Sequence, residues 1–223
     1  HQKQVDGIII NFIDNNNASY LETNSIPAVG FESWIASTKM NSVSTDNYQG
    51  GILAAQHIIS SGYSKPAIIS GPTSSAAAID RNSGFIHACR EKNITIDDSM
   101  VYIGGFNLNS GYELTKKIFT EHPDTDSIFS NNDVIALGVL KYLEEHNITC
   151  GKEVGVIGFD NITISGLPQI RLSSIEQQKD VIGKILFNLL FEQIKNLKNG
   201  ILDPPKRILL EPTLIVRETT HKK

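Results

Sequence analysis

Short runs of β-branched and other apolar residues alternate along this chain with longer stretches whose apolar positions recur every three or four residues. The first pattern marks strands buried on both faces, the second helices that bury one side. Residues 5–10 read as a buried strand and 28–31, after Pro27, as a second. Asp46-Asn47-Tyr48-Gln49 has the form of a capping box, with Asp46 as N-cap and Gln49 reaching back to its amide. Ile52, Ala55 and Ile59 continue that helix, and Gly62 stops it. Strands are then expected at 67–70, 101–103, 127–130 and 154–159. Helices are expected at 79–91, from Asn109 to just before Pro123, and at 132–146. The longest helix is predicted over 178–196, and late strands over 207–210 and 214–216.

Strand and helix in alternation, joined by short loops, define an α/β chain with doubly wound parallel sheets. Successive β-α units fill the middle of the chain, with further elements on either side. The expected division is two lobes: 1–45 with 176–206, and 46–175 with 207–223. Asn15-Asn16-Asn17 reads as a loop, and no repeat of solenoid period occurs.

The 223 residues carry a formal charge of −4, and Lys and Arg are scattered except for Lys222 and Lys223 at the tail. That is no nucleic-acid-binding surface, so this stretch of chain is not expected to grip DNA by itself. No apolar run is long enough to span a bilayer, which argues against a membrane partner. The first residues have neither leader nor cap and read as the interior of a longer protein. Cys89 and Cys150 imply neither a disulfide framework nor a metal site.

Ligands of open parallel sheets sit beyond the carboxyl ends of the strands. The residues there are Gly71-Pro72-Thr73-Ser74-Ser75, Gly104-Gly105-Phe106, Asn131-Asn132-Asp133 and Asp160-Asn161. Hydroxyls, amides, carboxylates and one aromatic suit a small neutral polyhydroxy ligand. Polar residues also cap helices at the same places, so each taken singly has a structural explanation. Arg81, near the start of the following helix, can turn into the site or face solvent. Trp34 can line a cleft or pack at the surface. Dinucleotide, P-loop and nucleophile-elbow signatures are lacking. The histidines have no metal-ligand spacing, and the Asn-Ile-Thr triplets at Asn93, Asn147 and Asn161 read as turns and caps. Neither a catalytic centre, a metal nor a cofactor is expected.

Several segments resemble the LacI/GalR transcriptional regulators in order and spacing. They are Val5-Asp6-Gly7-Ile8-Ile9, Ile26-Pro27-Ala28-Val29, Val43-Ser44-Thr45-Asp46-Asn47 with Gly50-Gly51, and Arg81-Asn82-Ser83-Gly84-Phe85. Asn132-Asp133 with Ala136-Leu137-Gly138, Val156-Ile157-Gly158-Phe159-Asp160-Asn161 and the ending Leu214-Ile215-Val216-Arg217-Glu218-Thr219-Thr220 complete the set. The resemblance implies a two-lobe fold like that of periplasmic sugar-binding proteins. It places Arg81, Phe106, Asn132 and Asp160 at effector-contacting positions. Ser75 stands where purine-responsive members carry a second arginine, a departure that favours a sugar. Glu32 falls where many members carry Asp at the cleft edge. The family's ligand domain begins two β-α units before the match to Val5, and its helix-turn-helix headpiece earlier still. The expectation is therefore an effector-binding and dimerisation module of a cytoplasmic DNA-binding repressor. Its partners would be a sugar, a second copy of the chain, and operator DNA held by a headpiece outside this sequence. The rival is a transport system's sugar-binding protein of the same fold; the Ile215-Val216-Arg217-Glu218-Thr219 ending and the Ile157-Gly158-Phe159-Asp160 strand favour the regulator.

Overall fold

A computed structural model describes residues 5–11, 20–21, 23–32, 40–201 and 203–222. In chain order the elements are β1 (Ile8–Ile10), β2 (Ala28–Phe31), β3 (Asn41–Thr45), α1 (Asn47–Ser60), β4 (Pro66–Ser70), α2 (Ala76–Glu91) and β5 (Val101–Ile103). Then follow α3 (Leu108–Glu121), β6 (Ser127–Ser130), α4 (Asp133–Glu145), β7 (Gly155–Phe159), β8 (Ser173–Glu176), α5 (Lys179–Lys198), β9 (Arg207–Leu210) and β10 (Thr213–Ile215). Trp34 and the Asn15-Asn16-Asn17 segment lie outside the described residues. Among the described residues no helix is long and apolar enough to cross a membrane.

The elements form two units, each discontinuous in sequence. The first takes the chain up to Asp46 and Gln178–Leu210; the second takes Asn47–Gln177 and the chain from Glu211 onward.

In the first unit the strands run β1-β2-β3-β9, all parallel. One face of that sheet is covered by α5, whose Ile182, Leu186 and Leu189 pack with Val29 and Val43. A smaller cluster gathers Leu21, Ala28 and Met40. The placement of β9 corrects the division expected from sequence, which put 207–210 in the second lobe. Its residues pair with β3 from Ser42↔Arg207 to Thr45↔Leu210. A half-exposed strand of alternating burial completes the open edge of β3, whatever its distance along the chain.

The second unit holds a sheet ordered β10-β8-β7-β6-β4-β5, in which only β10 runs antiparallel. Its central strands β4, β6 and β7 are buried at every residue, as their near-continuous apolar composition requires. Alternate side chains go to opposite faces. Ala67, Ile69, Ile128 and Val156 face Ile118 of α3 and Ile135, Val139 and Leu143 of α4. Ile68, Phe129, Ile157 and Phe159 face Ala54 and Ile58 of α1 and Phe85 and Cys89 of α2. Each large apolar side chain buried in this way contributes about 1.5–3 kcal/mol.

A pair of glycines brings α1 and α2 together. A Cβ on Gly51 would lie 2.1 Å from the Arg81 carbonyl oxygen, and one on Gly84 would lie 1.9 Å from that of Tyr48. Only backbone against backbone fits here, and this closeness sets the first turn of α1 beside Arg81.

Candidate functional site at the strand ends of the second unit

Arg81 is 5% exposed, although it lies in the second turn of α2. Burial of a guanidinium requires that its donors and its charge be met. Its Nε donates to Oδ1 of Asn47 at 2.8 Å, and its Nη1 donates to the carbonyl oxygen of Asn131 at 2.6 Å. The guanidinium carbon stands 3.7 Å from the centre of the Phe159 ring, a cation–π arrangement. Oδ1 of Asp160 is also 3.7 Å from Nη1, which makes an ion pair.

Asp160 follows the last residue of β7 and has a φ of +102°, in the left-handed half of backbone space where Asp and Asn are enriched. Its amide donates to the Ile175 carbonyl at 2.8 Å, which holds the turn against β8. Its carboxylate accepts a hydrogen bond from the side-chain amide of Gln177. About a quarter of the side chain remains exposed, at 26%. The carboxylate thus meets Arg81 on one side and solvent on another.

Phe106 follows β5 and lies against Gly71 at the end of β4, where an added Cβ would come 2.2 Å from its Cζ. The ring stays 39% exposed, so it is neither a buried plug nor a free side chain. Asn132 is nearly buried and caps α4, its Oδ1 accepting from the Ile135 amide at 2.8 Å. Ser75 caps α2, its Oγ accepting from the Ala78 amide at 3.3 Å. Each cap retains further hydrogen-bonding capacity, the amide protons of Asn132 and the hydroxyl proton of Ser75.

Ser75, Arg81, Phe106, Asn132 and Asp160 therefore all lie at the carboxyl ends of β4, β5, β6 and β7 or on the helices that follow. Glu32 belongs to the first unit, where it follows β2 and its Oε1 accepts from the Thr45 amide at 2.7 Å. Asn47 and Gln177 are polar partners that the sequence does not single out, and Asn131 stands there among the strand-end residues without a role of its own. Asn47 was hidden inside a capping motif, and Asn131 beside the more recognisable Asn132-Asp133 pair. Asp133, fully buried, works inward: it accepts from the hydroxyls of Ser165 and Ser174 and from the amide of Ile162.

Residues 55–220, most of the chain, match the model of the periplasmic binding protein-like domain. The chain belongs to that family. It is 30% identical over 225 residues to the HTH-type transcriptional repressor PurR of Vibrio vulnificus, covering 99% of this chain and 66% of that protein. It thus spans just under two thirds of the length of that curated relative. The structure of a transcriptional regulator CelR–cellobiose complex superposes with a TM-score of 0.88 at 25% identity, covering 98% of this chain and 67% of the other. A LacI-family regulatory protein from Chloroflexus aggregans gives 0.84 at 25% identity, covering 98% and 77%. These relatives are transcriptional regulators, not enzymes. The periplasmic-binding-protein-like domain described here is the kind found in LacI-family regulators, in line with the family resemblance of the sequence.

Proposed function

We propose that this domain binds a small-molecule effector, a sugar or sugar derivative, for a DNA-binding repressor of the LacI/GalR family. The observation that carries the reading is the buried Arg81. A guanidinium held by Asn47, Asn131 and Phe159 beside the part-exposed carboxylate of Asp160 is a rigid polar centre at a strand-end rim. Charge-assisted bonds made there are stronger than at a free surface. Phe106 supplies an apolar face for the C–H side of a sugar ring, and Asn132 and Ser75 supply further hydrogen-bonding groups. None of these forms a nucleophile–base pair, so the chemistry is recognition and not catalysis. The cellobiose bound by the CelR regulator supports a saccharide. Ser75, too short and uncharged to act as an arginine does, supports it over a purine.

The effector acts allosterically if it binds unequally to the DNA-competent and DNA-released states. Operator contact belongs to a helix-turn-helix headpiece, and the site of action is the cytoplasm, where the operator is. A second copy of the chain is the further partner. Phe187 and Phe191 of α5, 63% and 60% exposed, stack on each other on the side away from Ile182, Leu186 and Leu189. An apolar pair left in water supports an interface on this face of α5.

A thermal-shift screen tests the reading. Mono- and disaccharides and their phosphates, cellobiose included, are set against the purine bases adenine and guanine. A ligand that binds only the folded state raises the apparent melting temperature. Stabilisation by a saccharide is expected; stabilisation by the purine bases alone would overturn the sugar assignment.

A further inference from the structure

Asn131 is fully buried at the end of β6, and its side chain closes a ring of hydrogen bonds. The Ser70 hydroxyl donates to Oδ1 of Asn131 at 3.3 Å, Nδ2 of Asn131 donates to Oδ1 of Asn82 at 2.8 Å, and Nδ2 of Asn82 donates back to the Ser70 hydroxyl at 2.8 Å. Every member both gives and receives, so neither amide can flip without breaking two bonds. Two branches leave this ring. Oδ1 of Asn131 also accepts from the amide of Gly71, 3.3 Å away, and Gly71 is the surface on which the Phe106 ring lies. The main-chain carbonyl of Asn131 accepts the Nη1 of Arg81 at 2.6 Å. Asn82, the third member of the ring, adjoins Arg81 on α2.

We infer that Asn131 is the positioning residue of the effector site: its buried side-chain amide holds Gly71 beneath the Phe106 ring and ties Asn82, the neighbour of Arg81 on α2, to the end of β6. The inference rests on the sugar-site reading above, yet its geometric part is independent of any ligand. The amide of Asn131 cannot touch a ligand from its buried place; it acts through Gly71 and through Asn82, the residue next to Arg81. Strand β6 supplies the anchor, since the Asn131 amide continues the ladder by donating to the Ile69 carbonyl at 2.9 Å. Alanine at 131 leaves that ladder bond intact and deletes the ring. An aspartate there keeps the acceptor and loses the donor to Asn82.

The test uses the intact protein labelled for NMR, without ligand. Two signals report the geometry: the shift that the Phe106 ring current imposes on the α-protons of Gly71, and the protected Nη protons of Arg81, one of which meets the Asn131 carbonyl. Asn131→Ala should reduce the first and, by releasing Asn82 and with it the start of α2, loosen the second. Ser70→Ala, a smaller excision from the same ring, should do so to a lesser degree and covers the case in which Asn131→Ala fails to fold. Tyr63→Phe, which removes the hydroxyl bonded to the Gly151 carbonyl elsewhere in the unit, should leave both signals in place. The saccharide that best stabilises the parent protein in the screen above should then bind Asn131→Ala at least about fivefold more weakly, the scale expected when two supported contacts loosen together. Unchanged Gly71 and Arg81 signals in both ring variants would overturn the positioning role. Altered signals with unchanged saccharide affinity would overturn its part in binding. If no saccharide binds the parent, the sugar reading fails while the NMR comparison still decides whether Asn131 sets the two side chains.

Discussion

The guanidinium of Arg81 rests on the ring of Phe159, 3.7 Å from its centre, while the next residue, Asp160, offers its carboxylate at the same 3.7 Å from Nη1. Two consecutive residues of the β7 end thus serve one cation, the first with a π face and the second with a charge. The arrangement follows from strand geometry. Phe159 points into the layer under α1 and α2, and Asp160, with its positive φ, turns the chain at the end of β7.

Loss of either charge should therefore reach the effector. Arg81→Ala and Asp160→Asn are each expected to lower saccharide affinity by about tenfold or more, or 1.4 kcal/mol. Asparagine at 160 tolerates the left-handed backbone, so the effect reads the charge and not strain. The double variant should lose less than the sum, because the two share one network. Titration calorimetry measures all three. Single variants that bind like the parent, with unchanged circular dichroism, would place the site elsewhere.

Phe106→Ala should weaken saccharide binding by roughly 1–3 kcal/mol, the scale of burying a phenyl face. The half-exposed ring contributes little to the core, so the melting temperature should stay close to the parent's. An unchanged dissociation constant would mean that the ring only covers Gly71.

Self-association should depend on α5. Replacing both Phe187 and Phe191 by Asp puts charge where an apolar pair is exposed, and the protein should sediment as a monomer at tens of micromolar where the parent is a dimer. Parent protein that is monomeric at that concentration, or a variant that dimerises as before, would remove α5 from the interface.

His57 provides a pH signature. It lies in α1 with its Nε2 2.6 Å from the Thr220 hydroxyl, and burial, with a smaller effect of His221, lowers its pKa below the ordinary 6.5. The folded state then binds fewer protons than the unfolded state in the window beneath 6.5. Stability should fall as pH drops through that value, and the penalty should stop growing below the lowered folded value. His57→Gln should flatten this part of the stability–pH curve from chemical denaturation. A curve identical to the parent's would show that His57 does not contribute.

The elements that were legible in sequence are those with continuous apolar runs or clear helical periods, such as β4, β6, β7, α2 and α4. β3 and β8 were not, because Asn-Ser-Val-Ser-Thr and Ser-Ser-Ile-Glu carry too many hydroxyls to read as strands. They become strands by being paired, and their small polar side chains are buried against neighbours rather than selected for propensity. The rim residues were legible for a related reason: position after a strand is a local property. That Arg81 turns inward was not, since it depends on the Gly51–Gly84 approach of two helices and on Asn131. Glu32 shows the opposite limit. Its place after β2 could be read, while its bond to Thr45 depends on pairing between strands.

The pairing of β3 with β9 also has a consequence for synthesis. Asn41 and Lys206, joined by a hydrogen bond at the start of that pairing, are separated by 165 residues. At about 5–20 residues per second, a ribosome takes roughly ten to thirty seconds to make the intervening chain. For that time the edge of β3 has no partner from its own sheet, while β4 to β7 emerge and can form their own. A bare parallel edge is a template for wrong pairing. The nascent chain is therefore most in need of a chaperone during the interval when the second unit is already complete in its centre and the first is still waiting for its last strand.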